Sequence, residues 1–190
     1  PPPHPPTTLL SSAASDVYKR QAYTNRGLQY FYEGRFADAA QMQKKAIELA
    51  PDDHRAWGRL AESYRAMGEY DQEQTQAYMV AIELAEPMLE INDQDWRTSG
   101  MLATYYANTG QAEKALAVAE SSIEVSRRNP EALLYAALVF KVTGDTELAL
   151  STLEEMVERD PSYRNYAAQE PDFRDLIGNE RFDRLIAEDD

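Results

Sequence analysis

Four glycines recur along the chain at a nearly constant interval, and they constrain its fold more than any other feature. Gly34, Gly68, Gly110 and Gly144 are separated by 34, 42 and 34 residues. An aromatic residue precedes each glycine by four positions, and an apolar-periodic segment lies on either side. Because glycine takes the left-handed conformation that ends a helix at low cost, this pattern predicts a repeated unit of helix, tight turn and helix.

Prolines mark the boundaries between these units. Pro51, Pro130 and Pro161 each follow the second apolar-periodic segment of a pair. Proline cannot continue a helix interior but suits its first turn, so each of them separates one pair from the next. Small residues recur inside the helices and let neighbouring helices approach closely: Gly27, Ala61, Ala103 and Ala137 in the first helices, and Ala39, Ala115 and Ala149 in the second. Helix pairs of this kind stack into an α-solenoid.

The residues at these positions resemble the tetratricopeptide repeat (TPR) family. The matching residues are Tyr23, Gly27, Tyr30, Gly34, Phe36, Ala39, Ala46 and Pro51 in repeat one; Trp57, Leu60, Ala61, Tyr64, Gly68 and Tyr70 in repeat two; Leu102, Ala103, Tyr106, Gly110 and Ala115 in repeat three; and Leu133, Ala137, Phe140, Gly144, Ala149 and Pro161 in repeat four. The resemblance implies an all-α fold, an α-solenoid of about four TPR-like helix-turn-helix repeats with a C-terminal helical cap. The repeat array would span 22–161, divided into 22–53, 54–92, 93–129 and 130–161.

The second repeat departs from this pattern. It carries Glu73 where a small residue is expected, it is eight residues longer than its neighbours, and Pro87 lies inside its second apolar-periodic segment. Since proline kinks or ends a helix, we expect an elongated second helix that is bent near Pro87.

The repeat pattern is lost after Pro161, and residues 162–190 are predicted to form the cap. A terminal repeat needs such a cover for its last apolar face, and the apolar residues available for it are Phe173, Leu176, Phe182, Leu185 and Ile186. This tail is similar to the TPR region at the C terminus of some bacterial multidomain signalling proteins, including kinases, cyclases and transcription regulators. That resemblance implies an alternative, in which the chain is the regulatory, recruitment or dimerisation region of a larger protein whose N-terminal domain is missing.

The first 21 residues are unlike the rest of the chain. They are rich in Pro, Ser and Thr and show no apolar periodicity, which is typical of a disordered tail. Residues 16–21, DVYKRQ, also resemble the translation of a transposon end that is used to build sequencing libraries. We therefore expect 1–21 to be either foreign to the natural chain or disordered, and we set it aside from the fold prediction.

Charge and composition exclude several function classes. The chain has 19 Lys and Arg against 33 Asp and Glu, a formal net charge of −14. Nucleic acids and anionic membrane surfaces both need a basic face, so neither is an expected partner. No apolar run approaches the roughly 18 residues that span a bilayer. The absence of cysteine excludes disulfides, thiol catalysis, zinc–thiolate sites and iron–sulfur clusters.

The sequence holds little catalytic chemistry. Its two histidines are His4, inside the segment that was set aside, and His54, which we expect to be exposed at a helix start. One usable histidine and no cysteine cannot form the usual nucleophilic triads. Pairs such as Asp52 and Asp53 are expected from the acidic composition, and the familiar phosphate and metal loops are missing. We predict a protein that is not an enzyme and has no cofactor and no metal site.

By the resemblance, the first helices of the pairs line a concave groove. The side chains predicted to contact a partner there are Asn25, Tyr32, Arg55, Gly58, Arg59, Arg65, Arg97, Gly100, Thr104, Asn108 and Lys141. Gly58 and Gly100 are equivalent positions, and a glycine inside a helix costs about 1 kcal/mol relative to alanine. In one alternative, these glycines leave a flat surface on which a ligand lies, and the arginines beside them bind its carboxylates. In the other, the glycines only ease helix packing, and the arginines pair with the chain's own Glu62, Glu69 or Asp93.

We therefore predict a non-catalytic scaffold that binds a protein or peptide ligand in the groove. The ligand would be a peptide or a helix, and the groove arginines make an acidic one a candidate. Aromatic and Arg anchors would supply most of the affinity. Self-association through the groove or the cap is an alternative, because imperfectly capped solenoid ends associate readily.

Overall fold

The computed structural model describes the backbone of residues 7–187 and the side chains of residues 15–187. Within these residues there are helices and short turns but no strand. The α-helices are α1 (Thr7–Tyr32), α2 (Phe36–Leu49), α3 (His54–Met67), α4 (Asp71–Ile91), α5 (Trp96–Asn108), α6 (Ala112–Val125), α7 (Pro130–Val142), α8 (Thr146–Arg159), α9 (Arg164–Gln169) and α10 (Glu180–Ile186). Two 3-10 turns, Pro161–Tyr163 and Pro171–Leu176, flank α9. The all-α helix-turn-helix prediction is confirmed.

The turn inside each helix pair explains the spacing between aromatic residue and glycine. Gly110 has a φ of 77°, and the N–H of Gln111 donates to the carbonyl of Tyr106 at 2.9 Å. This bond closes a Schellman motif, in which the residue after the left-handed position reaches back to the last full turn of the helix. The turns at Gly34 and Gly144 make the equivalent bond. The aromatic side chain packs inward while its carbonyl ends the helix.

The chain divides into two compact units, with the division inside α4 between Ala77 and Tyr78. In the first unit, α2 packs against both α1 and α3. Its buried apolar residues are Phe31, Ala39, Ala40, Ala46, Ala56, Leu60, Ala61, Tyr64 and Ala77. Most of them are alanines, so the helices of this unit pack closely, as the small-residue pattern predicts.

The second unit contains the pairs α5–α6 and α7–α8, and α7 also packs against α5 and α6. The C-terminal half of α4 belongs to this unit, where the rings of Tyr78 and Tyr105 lie 5.9 Å apart. Tyr78 is fully buried.

The C-terminal cap closes the second unit. Phe173, Leu176, Phe182 and Leu185 are buried, and the rings of Phe173 and Phe182 lie 6.2 Å apart. Ile186 is half-buried. The segments that carry these residues pack against α7 and α8, so the predicted cap is confirmed.

An ion-pair cluster holds α10 on α8. The Arg181 guanidinium donates to both carboxylate oxygens of Glu154, at 2.8 and 2.7 Å, and to Glu147 at 2.8 Å. Paired donation to one carboxylate fixes orientation as well as distance. This cluster therefore sets how the cap lies on α8.

Helix α4 is 21 residues long, whereas α2, α6 and α8 have 14 each. The predicted elongation is confirmed, and the helix continues through Pro87 without ending there. The bend at Pro87 stays a prediction. No helix among residues 7–187 combines the length and the apolar character needed to cross a membrane.

Residues 7–21 belong to α1, which continues without a break to Tyr32. A helix that is already formed adds one hydrogen bond for each further residue, and this part of the segment contains no proline to stop it. Its foreign origin stays a prediction. Residues 1–6, and the last three residues of the cap, lie outside the described residues.

Candidate partner-binding surface

The predicted binding residues lie on the first helix of each pair and are divided between the two units. The first unit holds Asn25 and Tyr32 on α1 and Arg55, Gly58, Arg59 and Arg65 on α3; the second holds Arg97, Gly100, Thr104 and Asn108 on α5 and Lys141 on α7. The two units thus carry separate sets of candidate residues.

In the first unit, Arg55 supports the start of α3. Its Nε donates to Asp53 Oδ1 at 2.9 Å, and the same oxygen caps α3 by accepting the Arg55 N–H at 3.2 Å. Arg20 of α1 donates to the other oxygen of Asp53 at 2.8 Å. Burial alone would raise the pKa of Asp53, but the hydrogen bonds from Arg55 and the charges of both arginines outweigh it and hold that pKa below its ordinary value. Arg55 is therefore engaged within the chain.

Arg59 is the cation of this surface whose side chain has no partner among the described residues. Its side chain is half-buried. Across residues 15–187, Arg59 and Arg127 are the two basic residues whose side chains have no hydrogen bond, ion pair or aromatic contact. Because Arg59 lies on the predicted binding helix, it is the position in this unit where an external carboxylate would gain a cation.

The remaining candidates of the first unit have mixed surroundings. Asn25 is exposed and its Oδ1 accepts from Gln21 at 2.8 Å. Tyr32 is 39% exposed and stacks edge-on against Phe31 at 5.8 Å. Gly58 is buried and Arg65 is half-buried. Among these four residues, only Asn25 and Tyr32 are exposed to solvent.

In the second unit, Arg97 pairs with an acid of the next repeat. Its Nε donates to Glu131 Oε2 at 2.9 Å, and its guanidinium lies 4.4 Å from the Trp96 ring centroid. The side chain of Arg97 remains 60% exposed. Arg97 is therefore paired within the chain, as one of the two predicted alternatives has it. Its partner is Glu131 and not Glu62, Glu69 or Asp93.

The reason for Gly100 is local packing. A Cβ at this position would lie 2.7 Å from Cδ2 of the Tyr135 ring on α7, closer than real Cβ contacts occur. The tyrosine ring thus occupies the space that a flat surface for a ligand would need. The packing alternative holds at Gly100, because α5 and α7 meet there at the distance set by an aromatic ring.

The other candidates of the second unit are also engaged. Thr104 is buried and its hydroxyl donates to the Met101 carbonyl at 2.7 Å, while Asn108 donates to the Thr104 carbonyl at 2.9 Å. Lys141, 17% exposed, donates to Asp175 at 2.7 Å. Each of these three side chains therefore has a hydrogen-bond partner within the second unit.

Two acidic partners of the candidate residues are absent from the sequence prediction, namely Glu131 and Asp175. Arg97 and Glu131 are 34 residues apart, as are Lys141 and Asp175. Arg97 and Glu131 occupy equivalent positions of two repeats, so opposite charges one period apart are the signal that could have found this pair; Asp175 lies in the cap, where the repeat pattern offers no such signal.

His54 corrects the expectation of an exposed side chain. It is the first residue of α3 and is 3% exposed. In the first unit α3 packs against α2. No three His, Cys, Asp or Glu side chains among the described residues are grouped as a metal ion would require.

Comparison with known families agrees with this architecture. Two family models, each described as a tetratricopeptide repeat, match residues 30–72 and 101–164, together more than half of the chain. The chain belongs to the tetratricopeptide repeat family. Both matches include the glycine turns described above, and residues 73–100 lie outside them. No curated protein matches this TPR chain, so its resemblance to bacterial signalling proteins stays a prediction.

Solved structures of other proteins are similar to this chain at low sequence identity. PilF from Pseudomonas aeruginosa is 17% identical, with a TM-score of 0.53 over 93% of this chain and 80% of that one. A thermophilic TPR protein of Thermus thermophilus is 17% identical, with a TM-score of 0.46 over 88% and 98% of the two chains. YrrB, described as a TPR protein with an unusual peptide-binding site, is 17% identical, with a TM-score of 0.39 over 73% and 85%. The PilF likeness supports the solenoid fold.

Family membership has a functional consequence. TPR arrays are protein–protein interaction scaffolds and generally non-catalytic, and the fold of this chain is of that kind. The chain is therefore a protein-interaction scaffold.

Proposed function

We propose that this TPR chain binds a peptide or helix of a partner protein on the first helices of its repeats. The observation that carries the proposal is the face of α5 and α7 in the second unit. Along α7, Glu131, Tyr135, Leu138 and Lys141 follow one another at helical spacing and so share one side. Tyr135 and Leu138 are half-buried between the two polar ends. An apolar and aromatic strip with charged ends is the composition of a peptide-binding anchor.

The charges on this face favour an acidic ligand. Arg97 is mostly exposed, and its pair with Glu131 is a surface pair, which contributes about 1 kcal/mol or less. A partner carboxylate can therefore replace Glu131 at little cost and receive paired donors from the guanidinium. In the first unit, Arg59 has no partner among the described residues, so it offers a second position of the same chemistry.

A random-peptide display library tests this proposal. Selection against the full chain is expected to enrich peptides that combine an aromatic or large apolar residue with Asp or Glu. The Arg97→Glu and Arg59→Glu variants are expected to lose that acidic enrichment, because the cation is replaced by a repelling charge. Arg127→Glu is the matched control, since Arg127 is exposed, has no side-chain partner within residues 15–187 and lies in the turn before α7.

Either of two results would contradict the proposal. Enrichment of the same peptides by the wild type and by both first-helix variants would move the interaction away from these helices. Enrichment without acidic residues would exclude the carboxylate chemistry. Circular dichroism of each variant establishes that the helical fold is unchanged.

A further inference from the structure

The second half of α4 carries a side that the fold does not cover. Its buried side consists of Tyr78, Ala81, Ile82 and Ala85, spaced as one face of a helix. Within the second unit, Tyr78 of this side contacts the ring of Tyr105. They leave the opposite edge of the helix unexplained.

A second apolar stripe runs along the side of α4 that faces away from those buried residues. Val80, Leu84, Pro87, Met88 and Ile91 follow at i, i+4, i+7, i+8 and i+11 and therefore share one side of α4. Val80 and Leu84 are half-buried, while Met88 is 42% and Ile91 88% exposed. Exposure of the stripe increases toward the C-terminal end of the helix. We call these five residues the α4 stripe.

Repeat packing does not account for the exposed end of the stripe. Helix α4 exceeds the 14 residues of α2, α6 and α8 by seven, about two turns or 10 Å. Pro87, Met88 and Ile91 lie in those two turns. The same residues fall between the segments that the TPR models match. They are an addition to the repeat rather than a part of its core.

The charges around the stripe have one sign. Helix α4 contains no Lys and no Arg. Glu83 and Glu90 are exposed beside the stripe, and within the described part of the chain neither carboxylate has an ion-pair partner. Glu86, in contrast, accepts a hydrogen bond from the Tyr106 hydroxyl and faces the unit.

The backbone adds to this negative character. Pro87 has no N–H, so the carbonyl of Glu83 lacks its helical donor. The C-terminal end of a helix also carries a partial negative charge, and the last turn of α4 has no basic residue to balance it. An approaching cation would meet both carboxylates and these carbonyl groups.

We propose that the α4 stripe is a second docking site, and that its occupant is an amphipathic helix of a partner protein with Lys or Arg beside its apolar seam. The apolar residues of such a helix cover Met88 and Ile91, and its cations meet Glu83 and Glu90. A second copy of this chain is disfavoured as occupant, because the formal net charge is −14 and α4 carries no cation. An anionic membrane is disfavoured by the same acidic edge.

The test uses a display library of helical peptides. Their apolar seam is fixed at i, i+3, i+4 and i+7, and the flanking positions vary among Lys, Glu and Gln. Selection against the full chain is expected to enrich Lys at the flanks. The affinity of a selected peptide is expected to fall about tenfold or more in Met88→Ser/Ile91→Ser, equal to about 1.4 kcal/mol. Both residues are exposed, so folding is expected to be unaffected, which circular dichroism checks.

Two controls sharpen the result. Leu148→Ser/Ile177→Ser removes a matched pair of apolar side chains, 42% and 63% exposed, elsewhere on the second unit, and is expected to keep full affinity. Glu83→Lys/Glu90→Lys leaves the apolar stripe intact and is expected to enrich Glu-flanked peptides instead.

Three outcomes would overturn the proposal: enrichment without charge preference, equal affinity of the Met88→Ser/Ile91→Ser variant, or a dimer of the peptide-free chain that sedimentation detects and that this variant abolishes. The site is independent of the first-helix surface. Arg97→Glu is expected to leave Lys-flanked peptide binding unchanged, so the failure of either proposal can be recognised separately.

Discussion

Arg97 Nε donates to Glu131 Oε2 at 2.9 Å across one repeat period of 34 residues. Lys141 and Asp175 form a second pair at the same separation. The first pair joins equivalent positions of two repeats, whereas the second joins the last repeat to the cap. Arg97 and Lys141, which are predicted to contact a ligand, thus form contacts between elements of the second unit in the free chain.

The Arg97–Glu131 pair is expected to contribute little stability. Its arginine is 60% exposed, and exposed pairs contribute about 0.2–1 kcal/mol. A double-mutant cycle with Arg97→Ala and Glu131→Ala, measured by urea unfolding, is expected to give a coupling energy in that range that decreases with added salt. A coupling above about 2 kcal/mol would show that the pair is structural and not available for exchange with a ligand.

Gly100→Ala is expected to destabilise the second unit. A Cβ would lie 2.7 Å from the Tyr135 ring, and such overpacking costs about 1–3 kcal/mol, more than the roughly 1 kcal/mol that alanine gains in a helix. The free energy of unfolding measures the net loss. In a Tyr135→Ala background the same substitution is expected to be neutral or stabilising. A loss of equal size in both backgrounds would contradict the packing explanation.

Arg127→Gly is expected to stabilise the chain. Arg127 and Arg128 have φ values of 56° and 61°, and the left-handed conformation costs a non-glycine residue about 1–2 kcal/mol. After the larger chain entropy of glycine is deducted, a gain of about 0.5–1 kcal/mol is expected in the unfolding free energy.

Arg128→Gly is the matched comparison, because it relieves the same backbone conformation but removes the paired hydrogen bonds from Arg128 to Glu155. Its gain is expected to be smaller than that of Arg127→Gly, or reversed. Equal gains would mean that the Arg128–Glu155 pair contributes nothing.

Glu155 is expected to make stability depend on acid pH. The hydrogen bond from Arg128, with a further one from Arg159, outweighs burial and lowers the pKa of Glu155 from 4.5 to about 2. A carboxylate with a lowered pKa in the folded state stabilises above its unfolded pKa, and that contribution is lost as pH falls from 4.5 toward 2.

Urea unfolding across this pH range, with the wild type and Glu155→Gln, measures the effect. The stability difference between the two is expected to be largest near neutral pH and to shrink as pH falls. Glu158→Gln, at an exposed position of α8, is the control. A wild-type-minus-Glu155→Gln difference that is constant with pH would exclude this linkage.

Gln43→Met is expected to stabilise the first unit. Gln43 is 1% exposed, and its Oε1 has no hydrogen-bond partner in the described residues. A buried acceptor without a donor costs about 1–3 kcal/mol. Methionine has a similar volume and no such acceptor, so a gain of about 1 kcal/mol in the unfolding free energy is expected. Gln41→Met, at an exposed position of the same helix, is expected to change little, and an equal gain there would contradict the burial argument.

Helix content and turns were predictable because their signals are local. A glycine at the left-handed position, a proline in a first turn and an apolar period of about 3.6 residues act within one or two turns of the chain. The cap was predictable for a related reason, since a terminal repeat has an apolar face to cover and the tail contains Phe173 and Phe182. The elongation of α4 followed from the count of residues between Gly68 and Gly110.

The residues of the candidate surface could not be assigned in the same way. Arg55 and Arg97 are both arginines on first helices, yet one pairs with the cap of its own helix and the other with Glu131 of the next repeat. His54 is buried at the start of α3, although its place at a helix start predicts exposure. These outcomes depend on which side chains face each other across helices.

The sequence by itself determined that this chain is a series of helix pairs of the TPR type, because the repeat is defined by residues whose backbone preferences act locally. Only the tertiary structure decided which cations the chain uses internally, why Gly100 must be small, and which side of α4 stays uncovered. Those properties follow from contacts of a few ångströms between helices that are far apart in sequence. The energy of a hydrogen bond or a steric contact changes from favourable to unfavourable within such a distance.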